Sequence, residues 1–168
     1  MNHTLTDGMA IAIRAIRPED KAPLAEALGH LSEETVQRRF MTAKPRFTRG
    51  ELRYLTEVDG HAHAALVASP VERPEWIIGV ARYVRDPQRP ESAEVAVVIG
   101  DPYQRRGLGT ALGLALADVA RANGIERFAA TMLGDNAAAH RLMALISARL
   151  RSEVPAHGVR EVVAELAA

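Results

Sequence analysis

The apolar positions of this chain change period along its length, and each change marks an element. Ile11, Ile13 and Ile16, with alanine and arginine between them, alternate as a strand does. Pro18-Glu19-Asp20 reads as a helix entrance, with proline in the first turn and two acids complementing the dipole, and 22–28 continues it. Ser32-Glu33-Glu34-Thr35 offers a second entrance, capped by the Ser32 hydroxyl, with Val36 and Phe40 as its apolar marks. A third helix is predicted over 48–58, with Leu52 and Leu55 inward. After Gly60 the period shortens. Segments 62–68, 76–84 and 93–99, rich in Val, Ile and aromatic residues, are separated by proline loops at 70–74 and 87–90 and predict an antiparallel meander.

The second half is more regular. Over 107–123, Leu108, Leu112, Leu116 and Val119 fall on one helical face, and Asn123-Gly124 is a C-terminal stop. Segment 128–133 is a predicted strand, and 136–149 a helix with Leu142, Leu145 and Ile146 inward. Two strands, 150–154 and 159–166, follow around a turn at 155–158. This order predicts an α/β (α+β) fold of three layers, a central mixed, mostly antiparallel sheet with helices on both faces. No repeat interrupts it, so 1–168 reads as a single domain.

Composition narrows the chemistry. A chain of 168 residues buries about two-thirds of its unfolded surface and needs no disulfide or structural metal. With no cysteine it has no thiolate nucleophile and no thiolate metal site. Basic and acidic side chains balance at 21 each, which argues against a domain that wraps nucleic acid. No apolar stretch reaches the ~20 residues of a membrane span, and the amino terminus lacks a signal pattern, so the expected location is the cytoplasm. An anion bound here must be held by local geometry.

That geometry is predicted at 94–110, an apolar strand running through a tight loop into the long helix. Backbone N–H groups in a first helical turn have no intrahelical partner, and the aligned dipoles place partial positive charge there. Gly107 and Gly109 keep side chains away from those groups, while Arg105, Arg106 and the Thr110 hydroxyl add donors. A Walker loop would need a lysine after its second glycine, and a dinucleotide fingerprint a third glycine; neither fits.

Gln104-Arg105-Arg106-Gly107-Leu108-Gly109 resembles the Q/R-x-x-G-x-G/A signature of the GNAT superfamily of acetyl-CoA-dependent acyltransferases, and Asn136 with Ala139 and Leu142 resembles its N-x-x-A-x-x-L element. More loosely, Ile16-Arg17-Pro18-Glu19-Asp20, Leu31-Ser32-Glu33-Glu34-Thr35, Arg39-Phe40 and Gly79-Val80-Ala81-Arg82-Tyr83 are similar to bacterial protein-lysine acetyltransferases of the Pat type. The resemblance implies acetyl-CoA as co-substrate. The backbone of Val97, Val98 and Ile99 would bond its pantetheine arm, Gln104 to Thr110, with Leu108 among them, would cradle its pyrophosphate, and Asn136 would contact it. Asn136 also suits a helix N-cap.

Acetyl transfer needs a neutral amine, so a base must take the proton of an ammonium. Glu94 is the candidate: on a period-two strand it shares a face with Ala96 and Val98, an apolar setting that raises a carboxyl toward useful basicity, and the Pat-type pattern carries its catalytic glutamate there. Many GNAT members place a tyrosine one residue after the Leu142 position as general acid; here that residue is Met143, leaving Tyr103, Tyr83 or solvent. The spaced pair His61 and His63 has no accompanying acid or cysteine cluster and reads as solvated edge positions, so no metal is expected. His140 reads as a surface residue. The favoured reaction is direct transfer to an amine, a protein lysine on the Pat-type resemblance, by a monomer or homodimer without nucleic acid or membrane. A small-molecule amine acceptor and a non-catalytic acyl-CoA-binding regulator are the alternatives.

Overall fold

Eight strands form one mixed sheet, most of them because their apolar residues alternate or run continuously over lengths that suit a covered sheet. In the computed structural model, which describes residues 1–43, 46–153 and 157–167, these are β1 (Asn2–Thr4), β2 (Ala10–Ala15), β3 (His63–Pro70), β4 (Gly79–Arg85), β5 (Ser92–Ile99), β6 (Arg127–Leu133), β7 (Ser147–Ser152) and β8 (Val159–Leu166). Their order across the sheet is β1-β2-β3-β4-β5-β6-β8-β7, and every pairing is antiparallel except β5 with β6. The helices are α1 (Lys21–Gly29), α2 (Glu33–Phe40), α3 (Arg49–Thr56), α4 (Leu108–Ala122) and α5 (Ala137–Leu145).

Two apolar clusters lie on the opposite faces. One joins Leu108, Leu112 and Leu116 of α4 and Met143 of α5 to Ile13, Ala81, Val95 and Phe128 of the sheet. The other joins Leu24 of α1 and Leu52 and Leu55 of α3 to Val67, Val80 and Val98. The three layers and the β3-β4-β5 meander are therefore as predicted. Helix α4 lies close on the sheet because Gly79 has no side chain: a Cβ there would stand 2.9 Å from Leu112 Cδ1 and 3.0 Å from Ile99 Cδ1. None of the described helices is long and apolar enough to cross a membrane.

Three sequence expectations need correction, and one strand leaves no trace in the sequence pattern. Strand β1, three exposed residues, carries no periodic signal and forms by pairing with β2. Helix α5 ends at Leu145 instead of reaching 149, because 147–152 finds backbone partners along β8; sheet pairing overrides the helix preference of Ala148, Arg149 and Leu150. The register of α5 buries Met143, 3% exposed, and turns Leu145, 62% exposed, to solvent. His63 sits on β3, an internal strand, half-buried rather than on a solvated edge. Of the turn at 155–158 and the strand end at 154, residues 154–156 lie outside the described residues.

Met143→Ala should therefore lower the unfolding free energy by about 2–5 kcal/mol. Leu145→Ala should stay within about 0.5 kcal/mol of wild type in the same urea titration.

Candidate active site

Strands β5 and β6 pair only over Ser92–Arg127, Ala93–Phe128 and Glu94–Ala129. Beyond Glu94 they separate: β5 continues along β4 as far as Ile99, while β6 continues along β8. The backbone of 95–99 thus offers its second side to no strand, a run of donors and acceptors open to an extended ligand. Glu94 stands at the apex of this fork, and Val97, Val98 and Ile99 lie along its arm.

The arm leads through a short turn, Asp101–Tyr103, to the start of α4. Gly107 is the N-cap residue, at φ 86°, a left-handed conformation that suits glycine. It contributes no side-chain cap, in contrast with Ser32, Thr48 and Asn136, whose side chains accept from Thr35, Glu51 and Ala139 at 3.2, 3.2 and 3.1 Å. The first-turn amides of Leu108, Gly109 and Thr110 are left to an outside acceptor. A Cβ on Gly109 would meet only Ile99, at 3.7 Å, so internal packing does not demand glycine there. Arg105 adopts φ 59°, which costs a non-glycine residue about 1–2 kcal/mol, and its exposed side chain has no ion partner among the described residues.

Two residues of the loop have side-chain partners elsewhere in the fold. Arg106 donates to Asp7 at 2.6 Å, and its carbonyl accepts from Thr6 N at 3.1 Å, which pins the β1–β2 hairpin to the loop. Gln104 Nε2 donates to Thr35 Oγ1 and to the Ile99 carbonyl, both at 3.1 Å. Asp101, absent from the sequence-level candidates, completes this clamp: its carboxylate accepts from Ser32 Oγ at 2.6 Å, Thr35 Oγ1 at 2.7 Å and Ser32 N at 2.9 Å. Burial raises the Asp101 carboxyl, but the hydrogen bonds from Ser32 and Thr35 outweigh it and hold the group below the ordinary aspartate value. Only tertiary structure brings α2 beside this loop, 66–69 residues away in sequence.

On the other side of the fork the face predicted for Glu94 differs in character. Glu94 is exposed, and its setting is charged instead of apolar. Arg82 lies opposite Ala96 and Glu94 opposite Val84, so Arg82 and Glu94 are diagonal neighbours on one face. Arg39 of α2 stands within electrostatic reach of both. Arg82 donates to the Leu55 carbonyl and to His63 Nε2, each at 3.2 Å, and the Tyr54 ring lies 4.8 Å from that of His63. Burial first, then the Arg82 cation, pushes the His63 imidazole down, consistent with a neutral ring accepting from a guanidinium. Beside this face an apolar cavity is lined by Leu28, Phe40, Phe47, Trp76, Val98 and Tyr103.

Of the two tyrosines considered as acids, Tyr83 is fully buried, donates to the His61 carbonyl at 3.1 Å and accepts from Asn123 Nδ2 at 2.8 Å, at the far end of α4. Tyr83 pairs with Val95 beside the fork, but its side chain lies on the sheet face opposite to that of Glu94, in the core covered by α4, where its hydroxyl is already bonded. Tyr103 is half-buried at the near end, its ring 5.8 Å from the Arg106 guanidinium. Met143 is enclosed in the core. Asn136 serves as the α5 cap and lines a second pocket with His140, itself half-buried, and Arg160. No cluster of three metal-ligating side chains occurs among the described residues.

Because Asp101 has a lowered carboxyl in the folded chain, its stabilisation is complete above the unfolded value near pH 4 and is lost as pH falls through the folded value. Asp101→Asn should destabilise by about 1–3 kcal/mol at pH 7. The gap from wild type should narrow below about pH 4 in urea unfolding curves; a constant gap would refute this role.

Residues 29–145 match the model of the acetyltransferase (GNAT) family. The chain is 38% identical over 132 residues to the acetyltransferase Pat of Mycolicibacterium smegmatis, covering 78% of this chain and 39% of that protein, so it spans about two-fifths of that relative's length. The crystal structure of the GNAT domain of S. lividans PAT superposes with a TM-score of 0.88 at 27% identity, covering 99% of this chain and 96% of that one. A Salmonella typhimurium protein solved with its cofactor acetyl-CoA shares the fold at a TM-score of 0.68 and 19% identity, covering 94% of each chain. With its forked sheet, its uncapped α4 entrance and these matches together, the chain belongs to the GNAT family of acetyltransferases.

Proposed function

We propose that the chain transfers an acetyl group from acetyl-CoA directly to the ε-amine of a protein lysine, with Glu94 as the base. The observation that carries this reading is the fork, which sets a free strand edge, an uncapped helix entrance and a carboxylate along one line. The backbone of Val97, Val98 and Ile99 would bond the pantetheine arm, as an added strand would. The amides of Leu108, Gly109 and Thr110, with the exposed Arg105, would hold the pyrophosphate. In the folded chain Gln104 and Arg106 would act by shaping this loop from behind, through Thr35 and Asp7. Asn136 would bound the slot from the start of α5.

Bound there, acetyl-CoA supplies an activated thioester carbonyl. Glu94 takes the ammonium proton, and the amine nitrogen forms the C–N bond as the C–S bond breaks, releasing its second proton to solvent. Unpaired N–H groups along 95–99 polarise the carbonyl oxygen. The departing thiolate takes its proton from solvent or from Tyr103. The absence of cysteine excludes an acetyl-cysteine relay. The lysine acceptor rests on the Pat-type resemblance.

Glu94→Gln should keep its melting temperature and acetyl-CoA affinity while losing turnover by about 100-fold or more with labelled acetyl-CoA and a protein lysate. Label on small amines alone would replace the lysine reading, and binding without any transfer would overturn the enzymatic one. Gly109→Ala improves helix propensity by up to about 1 kcal/mol. It should nevertheless weaken acetyl-CoA binding about tenfold by calorimetry, because a methyl group would stand before the first-turn amides.

A further inference from the structure

Two arginines on the acceptor side of the fork lack what the chain provides elsewhere. Where an arginine is structural, as at Arg14, it receives a carboxylate: Asp20, 5% exposed, accepts from both of its terminal nitrogens at 2.7 Å and from Arg17 N at 2.7 Å. Arg82, only 7% exposed, donates to a carbonyl and an imidazole, neither of which carries negative charge. Arg39 is half-buried at the end of α2. Among the described residues it has neither a hydrogen-bond acceptor nor an ion pair, and its guanidinium lies 4.9 Å from the Phe40 ring centre.

Withdrawing two guanidiniums from water beside one another costs free energy unless an anion meets them. Among the described residues the acid within electrostatic reach of Arg39 is Glu94, which is exposed and required as a base in the proposed reaction. Burial is the main cause pushing both arginines down, Arg82 to about 10, and the Arg39 cation adds to the shift of Arg82; both remain charged at neutral pH. Their positions are fixed. Arg82 is tied to the last turn of α3 and to His63, and α2 is anchored at its start by Asp101, two turns before Arg39. Ala96, opposite Arg82 and two residues from Glu94 on the same face, presents only a methyl group.

We infer that Arg39 and Arg82 form a recognition site for a carboxylate that the acceptor carries close to its reacting amine, in a protein acceptor an acidic residue flanking the lysine. This rests on the acetyltransferase reading with Glu94 at the amine. An acceptor whose amine meets Glu94 brings its neighbouring groups past the two guanidiniums, and a carboxylate there is received by planar forks matched to its geometry.

The test uses the full chain, acetyl-CoA and paired lysine peptides that differ only in Glu or Gln on both sides of the lysine. Nα-acetyl-lysine and its methylamide form a second pair. The Glu peptide should exceed the Gln peptide by about tenfold in kcat/KM, carried mainly by KM. Arg39→Gln should collapse that ratio, Arg39→Lys should restore part of it, and Arg38→Gln, whose guanidinium already pairs with Glu34 on the same helix, should leave it unmoved. Melting curves check that each variant folds. Equal rates on the two peptides, or a ratio unmoved by Arg39→Gln, overturn the site while leaving lysine acetylation intact. If peptides are not acetylated but small amines are, the lysine reading fails, and preference for the free acid over the methylamide decides the site. Calorimetry of the same pairs in the presence of CoA reads the preference without turnover; no preference there overturns it.

Discussion

The parallel pairing of β5 with β6 lasts three residues, and the rest of the molecule is arranged around its ending. A strand whose backbone is left unpaired on one side is a liability in a sheet interior, since each buried N–H or C=O without a partner is costly. Here β5 is held on its other side by β4 over its whole length, and β6 is held by β8, so both arms of the fork stay rigid after they part. The backbone edge between them is preserved without collapsing into a continuous sheet. Helix α4 then packs its Leu108 and Leu112 against Gly79 and Ile99, which brings its uncapped first turn close to the end of the free edge.

The chain satisfies its polar groups carefully in some places and withholds satisfaction in others. Helices α2, α3 and α5 begin with a side chain bonded to their first turn; α4 begins with glycine. Arg14 is paired to a buried aspartate through two bonds, whereas Arg39 and Arg82, within electrostatic reach of one another, have no carboxylate bonded to either among the described residues. Both contrasts fall on the two sides of the same fork, one facing the loop before α4 and one facing Glu94. The clamp formed by Asp101, Gln104, Ser32 and Thr35 joins these two sides, because it ties the loop before α4 to the helix that carries Arg39.

Much of this was legible in the sequence. The period of Leu108, Leu112 and Leu116 identifies the core face of α4, and Gly107 and Gly109 at a helix entrance, after an apolar strand, mark a candidate place for an anion. What misled was local. Leu145 and Met143 are both apolar and two positions apart, and a small error in where α5 begins and ends decides which is buried. Arg106 has the composition of a phosphate ligand, and its pairing with Asp7, about a hundred residues away, is not visible in the loop's own sequence. The face of Glu94 reads as apolar along its own strand; its charge comes from β4 and α2.

By itself, then, the sequence determined most of the elements, the apolar layers and the helix entrance, since these depend on spacing within short windows where side-chain direction follows backbone period. Only the tertiary structure decided where β5 and β6 part, which arginines are paired, and that α2 is bound to the loop before α4. Those outcomes depend on register between strands distant in the chain and on side chains that meet only once the sheet has formed. Neither leaves a periodic trace in the order of residues.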